Sequence, residues 1–174
     1  IFSEEIKKDN PKVGFYSLFK GKKIEKNTDE KEEENKLDFF KDREQAETIE
    51  AYKDGKSFVG FMYADGDGLG DFLSKLKDKF VENNNEADYK TFLKEFSVKL
   101  DAVTKDSLIE AMKELKHKFP IHKKENGEER RYYGEFLIVG GDDVCGVFPA
   151  DLVLELSEKY QAIFEKEMYE YFEK

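Results

Sequence analysis

The chain has 174 residues, with 30 Lys and Arg against 40 Asp and Glu, giving a formal charge of −10. That length suits one ordinary domain of roughly 100–150 residues, and 16 Phe with 9 Tyr supply bulky apolar surface for a core. No window approaches the ~18–20 uninterrupted apolar residues of a membrane helix, which excludes a spanning segment, and an acidic surface repels phosphate backbones, which argues against nucleic-acid binding by bulk charge. Contact with phosphates is therefore expected to be local and bridged by metal ions. Cys145 is the single cysteine, so no internal disulfide and no Cys-x-x-Cys zinc site can form, which suits a reducing cytoplasm. The chain opens at Ile1 without Met or a signal peptide and reads as one domain of a larger protein.

In chain order, Val13–Phe19 is an apolar run before a Lys20-Gly21 turn, consistent with a short strand. Residues 24–56 are dense in charge, most of all at Asp29–Glu34, and read as a solvated connector. Phe58–Ala64 is a continuous apolar run ending in Asp65-Gly66-Asp67-Gly68. Continuous rather than alternating polarity predicts a central strand covered on both faces. Leu69, Phe72, Leu73, Leu76 and Phe80 then recur at helical spacing up to the polar Asn83–Asn85. A longer helix is predicted from Asp88 to about Lys116, with Tyr89, Phe92, Phe96, Leu100, Val103, Met112 and Leu115 on its stripe and Pro120 as its stop. Tyr132–Val139 and Val144–Phe148 are β-rich runs around Gly140-Gly141-Asp142-Asp143, a hairpin pattern. Pro149 ends the second strand, and Asp151 is placed to cap a helix reaching nearly to Lys174. The predicted order is strand, helix, helix, hairpin, helix. Residues 1–57 form an N-terminal segment and 58–174 the domain proper.

Two acidic turns thus close two apolar strands. If those strands are neighbours, Asp65 and the Asp142-Asp143 pair converge on one spot. Like charges that close are mutually destabilising unless a cation neutralises them. Hard carboxylate oxygens without nearby His or thiolate select Mg²⁺ or Mn²⁺ over zinc. Two such ions roughly 3.5–4 Å apart serve phosphoryl transfer. Gly66, Gly68, Gly140 and Gly141 carry no Cβ, so a triphosphate could approach the backbone closely. A calcium loop does not fit, because Leu76 stands where the bidentate Glu is required. A dinucleotide fingerprint fails at Asp71, and Gly55-Lys56-Ser57 lacks the leading Gly of a P-loop. His117 and His122 read as surface residues and Cys145 as a small packing residue. Tyr63, Tyr132 and Tyr133 could stack a base, with sheet packing the commoner role.

Tyr63–Gly70 followed by Val139–Val144 resembles the cyclase palm domain of the large subunit of type III CRISPR effectors, itself similar to the palms of GGDEF diguanylate cyclases and polymerases. The likeness covers residues 58–80 and 132–165. It implies an α+β, ferredoxin-like palm: an antiparallel sheet with helices on one face. It also implies cyclic oligoadenylate synthesis from ATP, with two Mg²⁺ or Mn²⁺ held by Asp65, Asp142 and Asp143. Gly66, Asp67, Gly68, Gly140 and Gly141 would border the nucleotide, and Lys159 would contact phosphate. Expected partners are the other subunits of a type III complex or a second palm, with guide and target RNA engaged only indirectly and no membrane. The closing strand of a ferredoxin-like sheet is not evident after the last helix, and the Val13–Phe19 run is one substitute for it. A diguanylate-cyclase-like enzyme and a catalytically silent, nucleotide-binding palm are the alternatives; the Asp-Asp tip without Glu-Phe argues against the former.

Overall fold

The computed structural model describes residues 41–44, 48–53, 56, 58–83 and 85–172. The Val13–Phe19 strand and the Asp29–Glu34 run lie outside the described residues. The elements are β1 (Val59–Ala64), α1 (Leu69–Glu82), α2 (Glu86–Glu114), β2 (Ile121–Lys123), β3 (Glu129–Arg131), β4 (Glu135–Gly140), β5 (Asp143–Pro149) and α3 (Val153–Phe172). β1, β5 and β4 form an antiparallel sheet in that order, and β2 pairs with β3 as a separate ribbon. Setting that ribbon aside and counting α1 and α2 together as one crossover, the strand–helices–hairpin–helix sequence matches the first five elements of a ferredoxin-like β-α-β-β-α-β unit. The α+β class and the one-sided helix layer anticipated for a palm are what the chain forms.

Alternation along the strands decides which face the helices cover. Met62, Phe136, Val144 and Phe148 point to one side and meet Leu108, Met112 and Leu115 of α2 and Leu152, Leu156 and Tyr160 of α3 in a single core. The opposite face is covered only in part by the described residues: Cys145 and Val147 of β5 are buried there, whereas Phe61 and Tyr63 of β1 are each 62% exposed. β1 therefore departs from the expected doubly covered central strand. It is an edge strand among the described residues, and its run is continuous only because apolar side chains stand on both faces. β5 is the central strand, buried from Val144 to Pro149. A bulge between Phe136 and Ile138 inserts Leu137 into β4, so Leu137 and Ile138 are both exposed before Val139 returns to the core.

The helices begin and end close to their predicted bounds, α3 at Val153 rather than directly after Asp151. The β2–β3 ribbon was not anticipated; it turns through Asn126-Gly127, with Gly127 at φ 82°. The solvated-connector reading of residues 24–56 also needs correction at its described end. Tyr52 is buried, and its hydroxyl donates to Glu135 at 3.0 Å. Asp42 accepts from the Tyr133 hydroxyl at 2.8 Å and pairs with Lys116 and Arg131. A short charged segment is thus fastened to the domain by specific partners rather than left in water.

β1 and α3 approach so closely at Gly60 that a Cβ there would lie 2.5 Å from Val153 Cγ1 and 2.7 Å from Val153 Cβ. Gly60→Ala should therefore destabilise the fold by about 1–3 kcal/mol through overpacking, read as a lower denaturation midpoint with an unchanged m-value. An unaltered midpoint would show that α3 can move away freely.

Candidate active site

The hairpin tip is a two-residue turn: Gly140 pairs with Asp143, leaving Gly141 and Asp142 as the loop. Gly141 has φ 61°, the positive value that the first position of such a turn demands. At the end of β1, Asp65 and Gly66 leave the strand, and Gly68, at φ 70°, starts α1 with its carbonyl accepting from Phe72 N–H at 2.9 Å.

The β1–β5 register joins these two turns. Ala64 is opposite Val144, so the next position on each strand is Asp65 beside Asp143. One residue further, a Cβ on Gly66 would lie 2.7 Å from Asp142 Oδ2 and 3.0 Å from Asp142 Cβ. Gly66 therefore serves close approach: any larger residue would push Asp142 away. The Tyr63 hydroxyl donates to Asp143 Oδ1 at 3.5 Å. The negative charge of Asp143, and after it that of Asp65, holds the Tyr63 phenol above its ordinary pKa.

All three predicted acids thus reach one corner of the sheet, but their side chains do not share one point. Asp143, at the start of β5, is reached by the Tyr63 hydroxyl, while Asp142, in the turn, lines the helix-side cleft against Gly66. Among the described residues no three His, Cys, Asp or Glu side chains are arranged to hold a metal ion as they stand. The donors nonetheless fit a hard divalent cation in kind, being carboxylate oxygens only.

Behind the acids opens a cleft of about 700 Å³ between the Asp65–Leu69 turn, α1, α2 and α3. Its inner wall is apolar, with Phe72, Phe96, Leu100, Phe164, Met168 and Phe172. Its polar groups are Asp65, Asp67, Asp142 and Glu165 with Ser157, Tyr160 and Gln161, and the described residues lining it include no Lys or Arg. Of the glycines expected at a nucleotide, Gly66 and Gly68 line this cleft; Gly140 and Gly141 do not, and a Cβ on either would meet open space. Lys159 is placed elsewhere. It pairs with Glu114 on the outer side of the α2–α3 contact, and that carboxylate raises its pKa.

Tyr132 and Tyr133 pack rather than offer open rings: Tyr133 is fully buried, and Tyr132 meets Tyr52 edge-on. Cys145 is buried, and His117 and His122 are exposed. The sequence reading missed Thr104, Ser157, Tyr160 and Gln161. A polar position inside an apolar helical stripe was the available signal for Thr104.

A family model described as Cas10/Cmr2, second palm domain, matches residues 58–174, from the strand before the Asp-Gly-Asp turn through α3. The chain belongs to that family. Searches of curated proteins and of solved structures found no match. As a Cas10/Cmr2 palm it is a domain of the type III CRISPR effector large subunit, and the matched stretch contains both acidic turns and the whole three-stranded sheet. Among the described residues no helix is long and apolar enough to cross a membrane.

Inside the cleft of this palm, burial pushes the Tyr160 phenol up to about 12; a hydrogen bond with Thr104 works against that rise and the charge of Asp142 adds to it. The protonated form is favoured in the folded chain, so its contribution is fully present below pH 10.0 and lost as pH rises towards about 12. Tyr160→Phe should flatten the loss of stability across that window, measured by denaturation at fixed pH values. A variant that loses stability as steeply as the parent would mean that Tyr160 ionises as freely folded as unfolded.

Proposed function

We propose that this palm performs metal-dependent nucleotidyl transfer, joining ATP into cyclic oligoadenylate within type III CRISPR antiviral defence. The observation that carries the reading is the β1–β5 register, which brings Asp65 alongside Asp143 and Gly66 against Asp142 at the mouth of an apolar cleft. In the reaction a 3′-hydroxyl oxygen forms a bond to the α-phosphorus of another ATP. The bond from that phosphorus to the bridging oxygen breaks, its electron pair leaves with pyrophosphate, and the hydroxyl proton passes to solvent.

Asp65, Asp142 and Asp143 are the residues that would hold Mg²⁺ or Mn²⁺, whose chemistry is to acidify the attacking hydroxyl and to screen charge on the phosphates. The charge of the cleft supports this dependence. A triphosphate meets carboxylates there and no described Lys or Arg, so its entry without cations is opposed by like-charge repulsion. Phe72, Phe96 and Phe164 give a planar base an apolar wall. The Gly66 position lets the nucleotide pass close to the backbone. The other subunits of the complex, including a facing palm, would complete the site, and guide and target RNA would act on it only indirectly. The setting is cytoplasmic.

Incubating the chain with each radiolabelled NTP and Mn²⁺, alone and with a facing palm, tests the reading. Cyclic adenylates support it, and cyclic diguanylate would replace it with the diguanylate-cyclase alternative. No turnover despite nucleotide-induced thermal stabilisation would leave a silent binding palm. Asp142→Ala combined with Asp143→Ala should abolish turnover while the fold keeps or gains stability, since like-charge repulsion is relieved; full activity in that variant would remove these acids from the site. Asp65→Asn keeps shape but removes a charge, and should weaken ATP binding in Mg²⁺ measured by calorimetry. Unchanged affinity would exclude Asp65 as a ligand.

A further inference from the structure

A threonine within a helix ordinarily turns its hydroxyl back to the carbonyl four residues earlier. Among the described residues Thr91 Oγ1 donates in this way to the Ala87 carbonyl at 3.2 Å, and Ser157 Oγ to the Val153 carbonyl at 2.8 Å. Thr104, in the interior of α2, does not. Its hydroxyl donates instead to the carbonyl of Gly141, 37 residues away, at 2.6 Å. Thr104 is fully buried and Gly141 partly so, so water has little access to the hydroxyl, and leaving that buried donor unpaired would be costly.

The accepting group sits where anchoring matters most. Gly140 and Gly141 have open space where a Cβ would be, so no side-chain packing at either position holds the tip. Gly141 is also the residue whose positive φ sets the direction in which Asp142 leaves the turn. Asp142 in turn lies against Gly66 with no room for an added methyl. Thr104 also acts on the Tyr160 phenol, on which the charge of Asp142 works in the opposite direction. Thr104 therefore stands between α2, α3 and the acidic turn.

We propose that Thr104 is a positioning residue for the acidic turn: its bond to the Gly141 carbonyl ties the hairpin tip to α2 and thereby fixes the Asp142 carboxylate at the cleft mouth. The proposal rests on the reading of Asp142 as a metal-holding residue, and its test has one arm that does not. Thr104→Val keeps the β-branched shape and removes the hydroxyl; Thr104→Ser keeps the hydroxyl.

In the first arm, amide hydrogen exchange is followed on the whole chain without metal or nucleotide. Thr104→Val should speed exchange at Gly141–Asp143 about tenfold, the size of one buried hydrogen bond, with β1–β5 amides remote from the tip unchanged and Thr104→Ser near the parent. Exchange at the tip equal to the parent in Thr104→Val, or equal acceleration throughout the sheet, would overturn the proposal. In the second arm, Mn²⁺ binding is measured by titration in the presence of ATP. A weakening of about tenfold in Thr104→Val, reversed in Thr104→Ser, supports the proposal; parental affinity in Thr104→Val overturns it. If the parent itself binds no Mn²⁺, the proposed function fails, and the exchange arm alone decides whether Thr104 holds the turn.

Discussion

The antiparallel pairing of β1 with β5, in the register that sets Ala64 opposite Val144, is the constraint on which the rest depends. Acids nearly eighty residues apart in sequence have no local reason to meet; this pairing alone makes them neighbours. A slip of one residue would turn every side chain of β1 to the other face, exposing Met62 and burying Phe61 and Tyr63 against the helices. It would also part Asp65 from Asp143 and Gly66 from Asp142. The register is held by burial on the helix side and by close backbone approaches. Gly60 leaves room for Val153, and Gly146 leaves room for the Phe148 ring, to which a Cβ there would come within 2.8 Å.

The same pairing concentrates negative charge where the fold offers little to offset it. Asp65, Asp67, Asp142 and Glu165 line one cleft, while Lys159 of α3 and Lys105 of α2 lie outside its lining and pair with other carboxylates, Glu114 and Asp101. The raised pKa of Tyr63 records the field at that corner from the protein's own side. The burial of Met62, Phe148, Leu156 and their neighbours stabilises a corner that is electrostatically unfavourable by itself. That division, apolar core below and unbalanced carboxylates above, is what the proposed dependence on cations rests on.

Much of this was legible from residues alone. The helical stripes of α1 and α2 predicted their extents to within a few residues, and the Gly-Gly-Asp-Asp tetrad predicted its own turn, because both signals are local. What failed was non-local. The run Val59–Ala64 reads as buried on both faces, since sequence cannot say whether Phe61 and Tyr63 have a layer to pack against. Lys159 looked available for phosphate because its partner Glu114 is 45 residues away. The docking of Asp42 and Tyr52 was hidden for the same reason: a charged stretch reads as solvated until its partners at Arg131, Tyr133 and Glu135 are known. Thr104 gives no local sign of its role, because the carbonyl it meets at Gly141 is 37 residues away.

The two carboxylates of the tetrad were expected to act together, yet backbone alternation gives them different surroundings. Asp143 lies where the exposed Tyr63 hydroxyl reaches it; Asp142 belongs to the helix side, beside Gly66, where its charge acts on Tyr160. A turn is the place in a sheet where both faces can be addressed from consecutive residues, because the chain reverses there and neither layer closes over it. The Asp-Asp pair is in this sense a pair of addresses: one reads the exposed sheet surface and the other the helix layer. Thr104 supplies the link on the helix side through the Gly141 carbonyl, and Tyr63 supplies it on the open side through Asp143.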